Sequence, residues 1–177
     1  MSKRELLGDF AEEFAAKSVT GTKSDTNYLE MLKYYPDNDP DEFVGCWCCT
    51  FVFHCCRQVR LDLPLGTHKT ARAGSFRWFT SVIAWYEWAQ VSDFIHNDTP
   101  ERGDIVIYNN IVPEQYKQKD CLWCDHVGIV LSFDGDFITA AEGNIDNKNI
   151  SGIVRRKRDD TIGCYIRIPE NYINDEL

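Results

Sequence analysis

The chain is expected to adopt an α+β fold, with N-terminal helices packed on a C-terminal antiparallel sheet. Up to about residue 90 the apolar residues recur at helical spacing; after "TPERGD", residues 99–104, they recur with the alternation of strands. No internal repeat, low-complexity tract or Pro/Gly-rich linker separates the two halves, so one domain over residues 1–177 is expected. With 177 residues, 44% of them apolar, such a domain can bury a sizeable core and needs no disulfides to hold it.

Each element has its own signal. Ser2 and Glu5 form a capping box, and Leu6, Leu7, Phe10 and Phe14 then share one face of a helix ending near Lys17. A second, short helix is expected over residues 27–34, with Tyr28, Leu32 and Tyr35 inward and Pro36 stopping it. The acidic loop "PDNDPDEF" follows. A third helix begins at Trp47 or Cys48 and runs to Val59, because Phe51, Val52, Cys55 and Val59 repeat helically. Pro64 and Gly66 mark a loop, and a fourth helix is expected over residues 79–90, where Val82, Ile83, Trp85, Tyr86 and Trp88 read as core. Five strands complete the chain, over residues 105–108, 127–133, 137–141, 153–158 and 165–168. Asp134-Gly135 supplies a hairpin turn between the second and third.

The charge balance removes whole classes of function. A net charge of -9 argues against a nucleic-acid binder, whose affinity comes from Lys and Arg set against phosphates. The single basic run, "RRKR" at Arg155–Arg158, reads as a solvated strand end. The N-terminal "MSKRELLGDFAEEF" has no long apolar core and carries acids in its first turns, so neither a signal peptide nor a membrane anchor is expected there. The expectation is a monomer without membrane insertion, cytoplasmic as synthesised, in a compartment that keeps thiols reduced.

The segment "GCWCCTFVFHCC", residues 45–56, concentrates five of the eight cysteines. Neighbouring pairs such as Cys48/Cys49 and Cys55/Cys56 diverge in direction and are poor candidates for disulfides, so most of these thiols are expected to be reduced. A nucleophilic cysteine must be a thiolate, and a helix N-terminus or a nearby imidazolium lowers a thiol from about 8.5 to roughly 3.5–7.5. That criterion favours Cys48, in the first turn, over Cys55 and Cys56, which burial would keep neutral. Cys46 and Cys49 remain rivals on position alone.

A base must come from His54, His68, His96 or His126. His54 lies six positions along the same helix and points away from Cys48. His68 and His96 sit in polar stretches and read as surface residues. His126 opens the apolar strand "DHVGIVLSF", where a helix N-terminus can pack against it; a histidine merely satisfied by Asp125 is the plainer alternative. In the following strand, "AAEGN" places Glu142 and Asn144 where a third polar group could hold the other ring nitrogen.

These motifs resemble a known family. "WCCTFVFHC" is similar to the tryptophan-cysteine helix start of the CHAP family, the cysteine- and histidine-dependent amidohydrolases and peptidases. "TPERGDIVIY" resembles the family's turn into its first sheet strand, "DHVGIV" its histidine strand, and "EGN" its closing acid and amide. "AWYEWAQ" sits where such proteins carry a tryptophan-rich helix, and the order agrees from Leu6 to Arg167. The resemblance implies a papain-like fold with Cys48 as nucleophile, His126 as base and later acid, and Glu142 with Asn144 as orienting or assisting groups. It implies a hydrolase of amide bonds, of bacterial or prophage origin, most often acting on peptidoglycan, with small amides as substrates of some relatives.

The chain also departs from that pattern. Cys49 replaces the usual small residue after the nucleophile, and Cys46, Cys121 and Cys124 are extra. Some relatives bind calcium just upstream of the nucleophile; here Asp39 and Asp41 are followed by Phe43 and Gly45, and Thr50 stands where an acid would, so a solvated acidic loop and no metal or other cofactor are expected. A zinc-stabilised or redox-sensing module, with Cys121 and Cys124 joined by Cys46 or Cys49, is the competing reading. If His126 meets Cys48, Cys46 and the Cys121/Cys124 pair also approach one cleft, where oxidation could link them. No wall-binding module or export signal is seen, so release by lysis or a specialised secretion route is expected.

Overall fold

The structure is a computed structural model that describes residues 2–35, 39–43, 47–64, 67–70, 74–77, 79–117 and 124–173. Helix α1 is Lys3–Ala15, opened by the expected capping box: Glu5 N–H donates to Ser2 Oγ at 3.1 Å, and Ser2 N–H to Glu5 Oε2 at 2.8 Å. Helix α2, Thr26–Leu32, is capped by Asp25, whose carboxylate accepts from the N–H groups of Asn27 and Tyr28. A single 3-10 turn, Pro40–Phe43, leads towards α3, Cys48–Gln58. Next comes a hairpin of β1, Thr67–Thr70, and β2, Gly74–Arg77, then α4, Val82–Val91. Strands β3, Ile95–His96, β4, Ile105–Asn109, β5, Cys124–Phe133, β6, Phe137–Glu142, β7, Gly152–Lys157, and β8, Ile162–Ile166, form one antiparallel sheet in the order β3-β8-β4-β5-β6-β7.

Helices α1, α3 and α4 all pack over β5. The core on that face joins Leu7, Phe14, Phe51 and Trp85 to Ile107, Val127 and Ile129, all buried. Burying each such side chain contributes on the order of 1.5–3 kcal/mol. The expected alternation is visible within β5: Val127, Ile129 and Leu131 belong to this core, while Val130 joins Val106, Tyr108, Ile138, Ala140 and Tyr165 in a second one.

The second core exists because the sheet curls. Strands β7 and β8 are four positions apart in the sheet order, a separation of about 19 Å if the sheet were flat. Residues 158–161 join them, and such a link spans at most about 17 Å at full extension. It is a tight turn instead, with Ile162 N–H donating to Asp159 C=O at 3.0 Å. Arg158 closes the curl by donating from Nη2 to the carbonyls of Asn97 (3.1 Å) and Asp98 (3.0 Å) beside the opposite edge strand.

The structure amends several expectations. Strand β5 starts at Cys124 rather than Val127, so His126 is its third residue; an irregularity at Tyr108/Asn109 lets Asn109 pair with Cys124. Strand β8 begins at Ile162, three residues earlier than expected. The β1–β2 hairpin and β3 were not anticipated, because "THKT" and "GSFR" lack apolar alternation and β3 is only two residues long. His68 and His96 therefore lie on strands, and His96 Nε2 stands 3.3 Å from the buried Asp104.

Candidate active site

Helix α3 begins on Trp47, whose side chain makes no cap bond to the helix; the first intrahelical bond is from Phe51 N–H to Trp47 C=O, 3.0 Å. The amide groups of the first turn thus have no partner within the helix ladder, and their dipoles converge where Cys48 sits. Trp47 is anchored sideways: its indole Nε1 donates to Asn149 Oδ1 at 2.9 Å, tying the helix start to the segment that follows β6.

Two glycines let the elements approach. A Cβ on Gly143, directly after Glu142, would lie 2.4 Å from Phe51 Cβ and 2.9 Å from Trp47 Cζ3, so the end of β6 lies flush against the first turn of α3. A Cβ on Gly128 would meet Glu142 Cγ at 2.8 Å, so this glycine leaves the carboxylate its place. The sequence motifs "HVG" and "EGN" therefore carry packing instructions as well as functional groups.

His126 is fully buried and pairs across the sheet with Tyr108, on which its ring stacks at a centroid distance of 5.9 Å. Its Nε2 lies 2.9 Å from Glu142 Oε2, and both side chains are 0% exposed. Nδ1 has no partner at strict hydrogen-bond geometry, yet the imidazole and the Cys48 thiol interact closely enough to shift each other's proton affinity. We read this as a loose hydrogen bond of the kind that tightens around a reacting group.

Glu142 has a second partner that the sequence reading missed. Arg156 donates from Nε to Oε1 at 2.7 Å and from Nη2 to Oε2 at 2.5 Å, a bidentate fork, and from Nη2 to Asp146 Oδ1 at 3.1 Å. Its guanidinium also lies over the Tyr108 ring, 5.2 Å from the centroid. The "RRKR" run is thus not a solvated strand end throughout. On β7, exposed Arg155 and Lys157 alternate with Val154 and Arg156, which face the interior, and period-2 alternation was the signal that could have separated them.

The electrostatics follow from these contacts. Hydrogen bonding from Cys49 is the largest influence holding the Cys48 thiol well below its ordinary value; burial opposes it, and the bond and charge of His126 reinforce it. Burial disfavours the imidazolium of His126, but the Glu142 charge and bonds to Cys48 and Glu142 prevail and raise it to about 10. Burial likewise works against ionised Glu142, and the Arg156 bonds and the His126 charge overcome it, lowering the carboxyl to about 2. Cys55 goes the other way, raised well above a normal thiol by burial, and Cys56 is raised for the same reason. These directions favour a thiolate beside an imidazolium, and a carboxylate held by a guanidinium, along one row of side chains.

Of the four residues singled out in the sequence, the structure brings Cys48, His126 and Glu142 together. Asn144 is adjacent in the chain, but its amide is used inside its own loop: Nδ2 donates to Asn147 Oδ1 at 3.0 Å, and Oδ1 accepts from Asn149 N–H at 2.8 Å. Asn144, Asp146, Asn147 and Asn149 all adopt left-handed φ, between 49° and 62°, a conformation that Asn and Asp tolerate better than most residues. Asp125 does not serve His126; its carboxylate accepts from the N–H groups of Ile111 and Val112 at 3.1 and 3.2 Å. His54, on α3, is buried against Phe10 and Phe14 of α1 and against Tyr34. Cys46 and Cys121, on which the zinc and oxidative-linkage readings depend, lie outside the described residues. Among the described residues no group of three His, Cys, Asp or Glu side chains is placed to hold a metal ion, and Asp41 is paired with Lys23 at 2.8 Å.

A family model described as the CHAP domain matches residues 38–144. The chain belongs to the CHAP-domain family. CHAP domains are generally amidase or peptidase hydrolases, and their papain-like architecture is the α+β arrangement seen here. No curated protein and no solved structure gave a match. The CHAP match contains Cys48, His126, Glu142 and Asn144 and ends before β7, so Arg156 lies beyond it. No helix among the described residues of this CHAP protein is long and apolar enough to cross a membrane.

Proposed function

We propose that residues 1–177 form one thiol-dependent amidase or endopeptidase domain, acting as a monomer, that cleaves an amide bond of peptidoglycan. The observation that carries the reading is the buried row Cys48, His126, Glu142, with the thiol lowered and the imidazole raised towards an ion pair. The thiolate of Cys48 attacks the amide carbonyl carbon, and the electron pair of the C=O bond moves to oxygen. The backbone N–H of Cys48, at the helix start, faces the resulting oxyanion. Imidazolium His126 gives its proton to the leaving nitrogen as the C–N bond breaks, leaving a thioester on Cys48. Neutral His126 then takes a proton from water, whose oxygen attacks the thioester; the acid product leaves and the thiolate–imidazolium pair returns. Glu142 holds the ring orientation and stabilises the imidazolium throughout.

Peptidoglycan as substrate is supported by family membership, and the protein would reach it from the cytoplasm by lysis or a specialised secretion route. The test is incubation of purified sacculi with wild-type protein and with Cys48→Ser, followed by mass spectrometry of the products. We expect new amide cleavage products only with the wild type, a free amino terminus within the peptide marking endopeptidase action. An active Cys48→Ser beside an inactive Cys49→Ser would refute the assignment of the nucleophile.

A further inference from the structure

Deleting any member of a fully buried set of charges leaves the others uncompensated, and such a set meets the loss by taking up or releasing a proton. Along the row of Cys48, His126, Glu142 and Arg156 the signs alternate and the sum is zero. We propose that Arg156 is a positioning residue which, by completing this neutral row and clamping Glu142 bidentately, keeps Cys48 in its reactive thiolate form. The inference rests on the reading of Cys48, His126 and Glu142 as the hydrolytic groups, and it adds a fourth member that makes no contact with the thiol itself.

The geometry supports a specific role rather than general support. Arg156 uses Nε and Nη2 on the two oxygens of Glu142, at 2.7 and 2.5 Å, which fixes the carboxylate so that Oε2 also faces His126 Nε2 at 2.9 Å. The Glu142 side chain is 0% exposed and that of Arg156 17%, so water contributes little compensation. The other groups around the row do not replace the guanidinium. Cys49, on α3, bonds to Cys48 but carries no positive charge. Tyr108, on β4, is kept in its neutral form by burial and by the charge of Glu142. Asp146 accepts from Arg156 at 3.1 Å, but its side chain is 22% exposed and it is shared with Lys148 at 3.3 Å, so it belongs to the solvated end of the network. Without Arg156, the buried thiolate, imidazolium and carboxylate sum to one negative charge, and because a thiol is a weaker acid than a carboxyl, the thiolate is the group that takes the proton.

The measurement is the pH dependence of iodoacetamide alkylation at Cys48, followed by peptide mass spectrometry, in wild type, Arg156→Gln, Arg156→Lys and Glu142→Gln/Arg156→Gln. It needs no substrate, so it stands even if the amide bond cleaved is not that of peptidoglycan. The expected result is a midpoint raised by about one pH unit or more in Arg156→Gln, near the wild-type value in Arg156→Lys, and returned towards wild type in the double variant, where neutrality is restored. With an active substrate, Arg156→Gln lowers kcat with little change in KM. Should Arg156→Gln alone be too unstable to purify, the double variant is compared with Glu142→Gln, against which loss of the cation raises the midpoint. A merely structural Arg156 would lower the unfolding temperature and leave every midpoint where it was, and that result overturns the proposal.

Discussion

Adding one methyl group at Gly143 places the packing between helix and sheet under a direct test. A Cβ there would stand 2.4 Å from Phe51 Cβ and 2.8 Å from Phe51 Cγ, whereas carbon atoms rest at about 3.5–4.0 Å. Phe51 Cβ is attached to the α3 backbone and its ring is held by Phe14 at a centroid distance of 5.7 Å, so the clash cannot be relieved by swinging a flexible tip. The helix start and the end of β6 must therefore separate by about 1 Å or more, at a stability cost of about 1–3 kcal/mol. Cys48 rides on the first and Glu142 on the second, so a displacement of that size is expected to lower the hydrolytic rate by about 10²-fold. Guanidinium denaturation reads the stability, and hydrolysis of sacculi with alkylation of Cys48 reads the site. Gly135→Ala is the control: Gly135 has φ +93° and nothing within 4 Å of its added methyl, so it should lose about 1–2 kcal/mol from backbone strain while the rate is unchanged. A Gly143→Ala protein with wild-type stability and rate would show that the contact does not position the site.

Cys49→Ala removes the largest influence on the Cys48 thiol, and the alkylation midpoint of Cys48 should rise; an unchanged midpoint would mean the neighbouring thiol does not bond to it. In the wild type at neutral pH, Cys48 should be alkylated well before Cys55 and Cys56, whose thiols burial raises, as resolved by peptide mapping. Because His126 is raised to about 10, the alkaline limb of kcat/KM should lie nearer pH 10 than pH 6.5. The stability that His126 contributes is complete below its unfolded value of about 6.5 and is lost as pH rises through about 10. His54 behaves oppositely: burial lowers it to about 4, so the unfolded chain binds the extra proton between about pH 6.5 and 4, and acidification across that range costs up to about 3 kcal/mol. His54→Phe should remove that acid dependence, measured as denaturant midpoints at pH 7 and pH 4.

Much of this site was legible in the residues. The start of α3 at Cys48 followed from helical spacing, and a thiol in a first turn has a physical reason to be acidic that Cys55 and Cys56 lack. His126 and Glu142 were legible as polar residues near the ends of otherwise apolar strands. Which of Glu142 and Asn144 holds the imidazole was not, since the Glu142 contact depends on the cross-strand space left at Gly128. Arg156 was hidden because a run of four basic residues reads as one exposed patch unless strand alternation is imposed on it. Asn144 had the right chemistry in the right place, but local hydrogen bonds to Asn147 and Asn149 compete for its amide, and nothing in sequence spacing weighs that competition. The β1–β2 hairpin was missed for a related reason: its pairing is set by backbone hydrogen bonds between segments that are polar and carry no period.

The turn at residues 158–161 has a bearing on the order in which the molecule can be assembled. As the chain is made from its N-terminus, a growing polypeptide that has reached Asn144 already contains the thiol, the imidazole and the carboxylate. It lacks β7, the strand that brings Arg156, and β8, which follows β7 in the chain and occupies an interior position between β3 and β4. Until β8 is added, β3 has no strand to pair with, β4 has an open edge, and the second core lacks Tyr165. The placing of these groups is thereby tied to strands made after them: a nascent chain carries the thiol, imidazole and carboxylate well before it carries the frame that orients them.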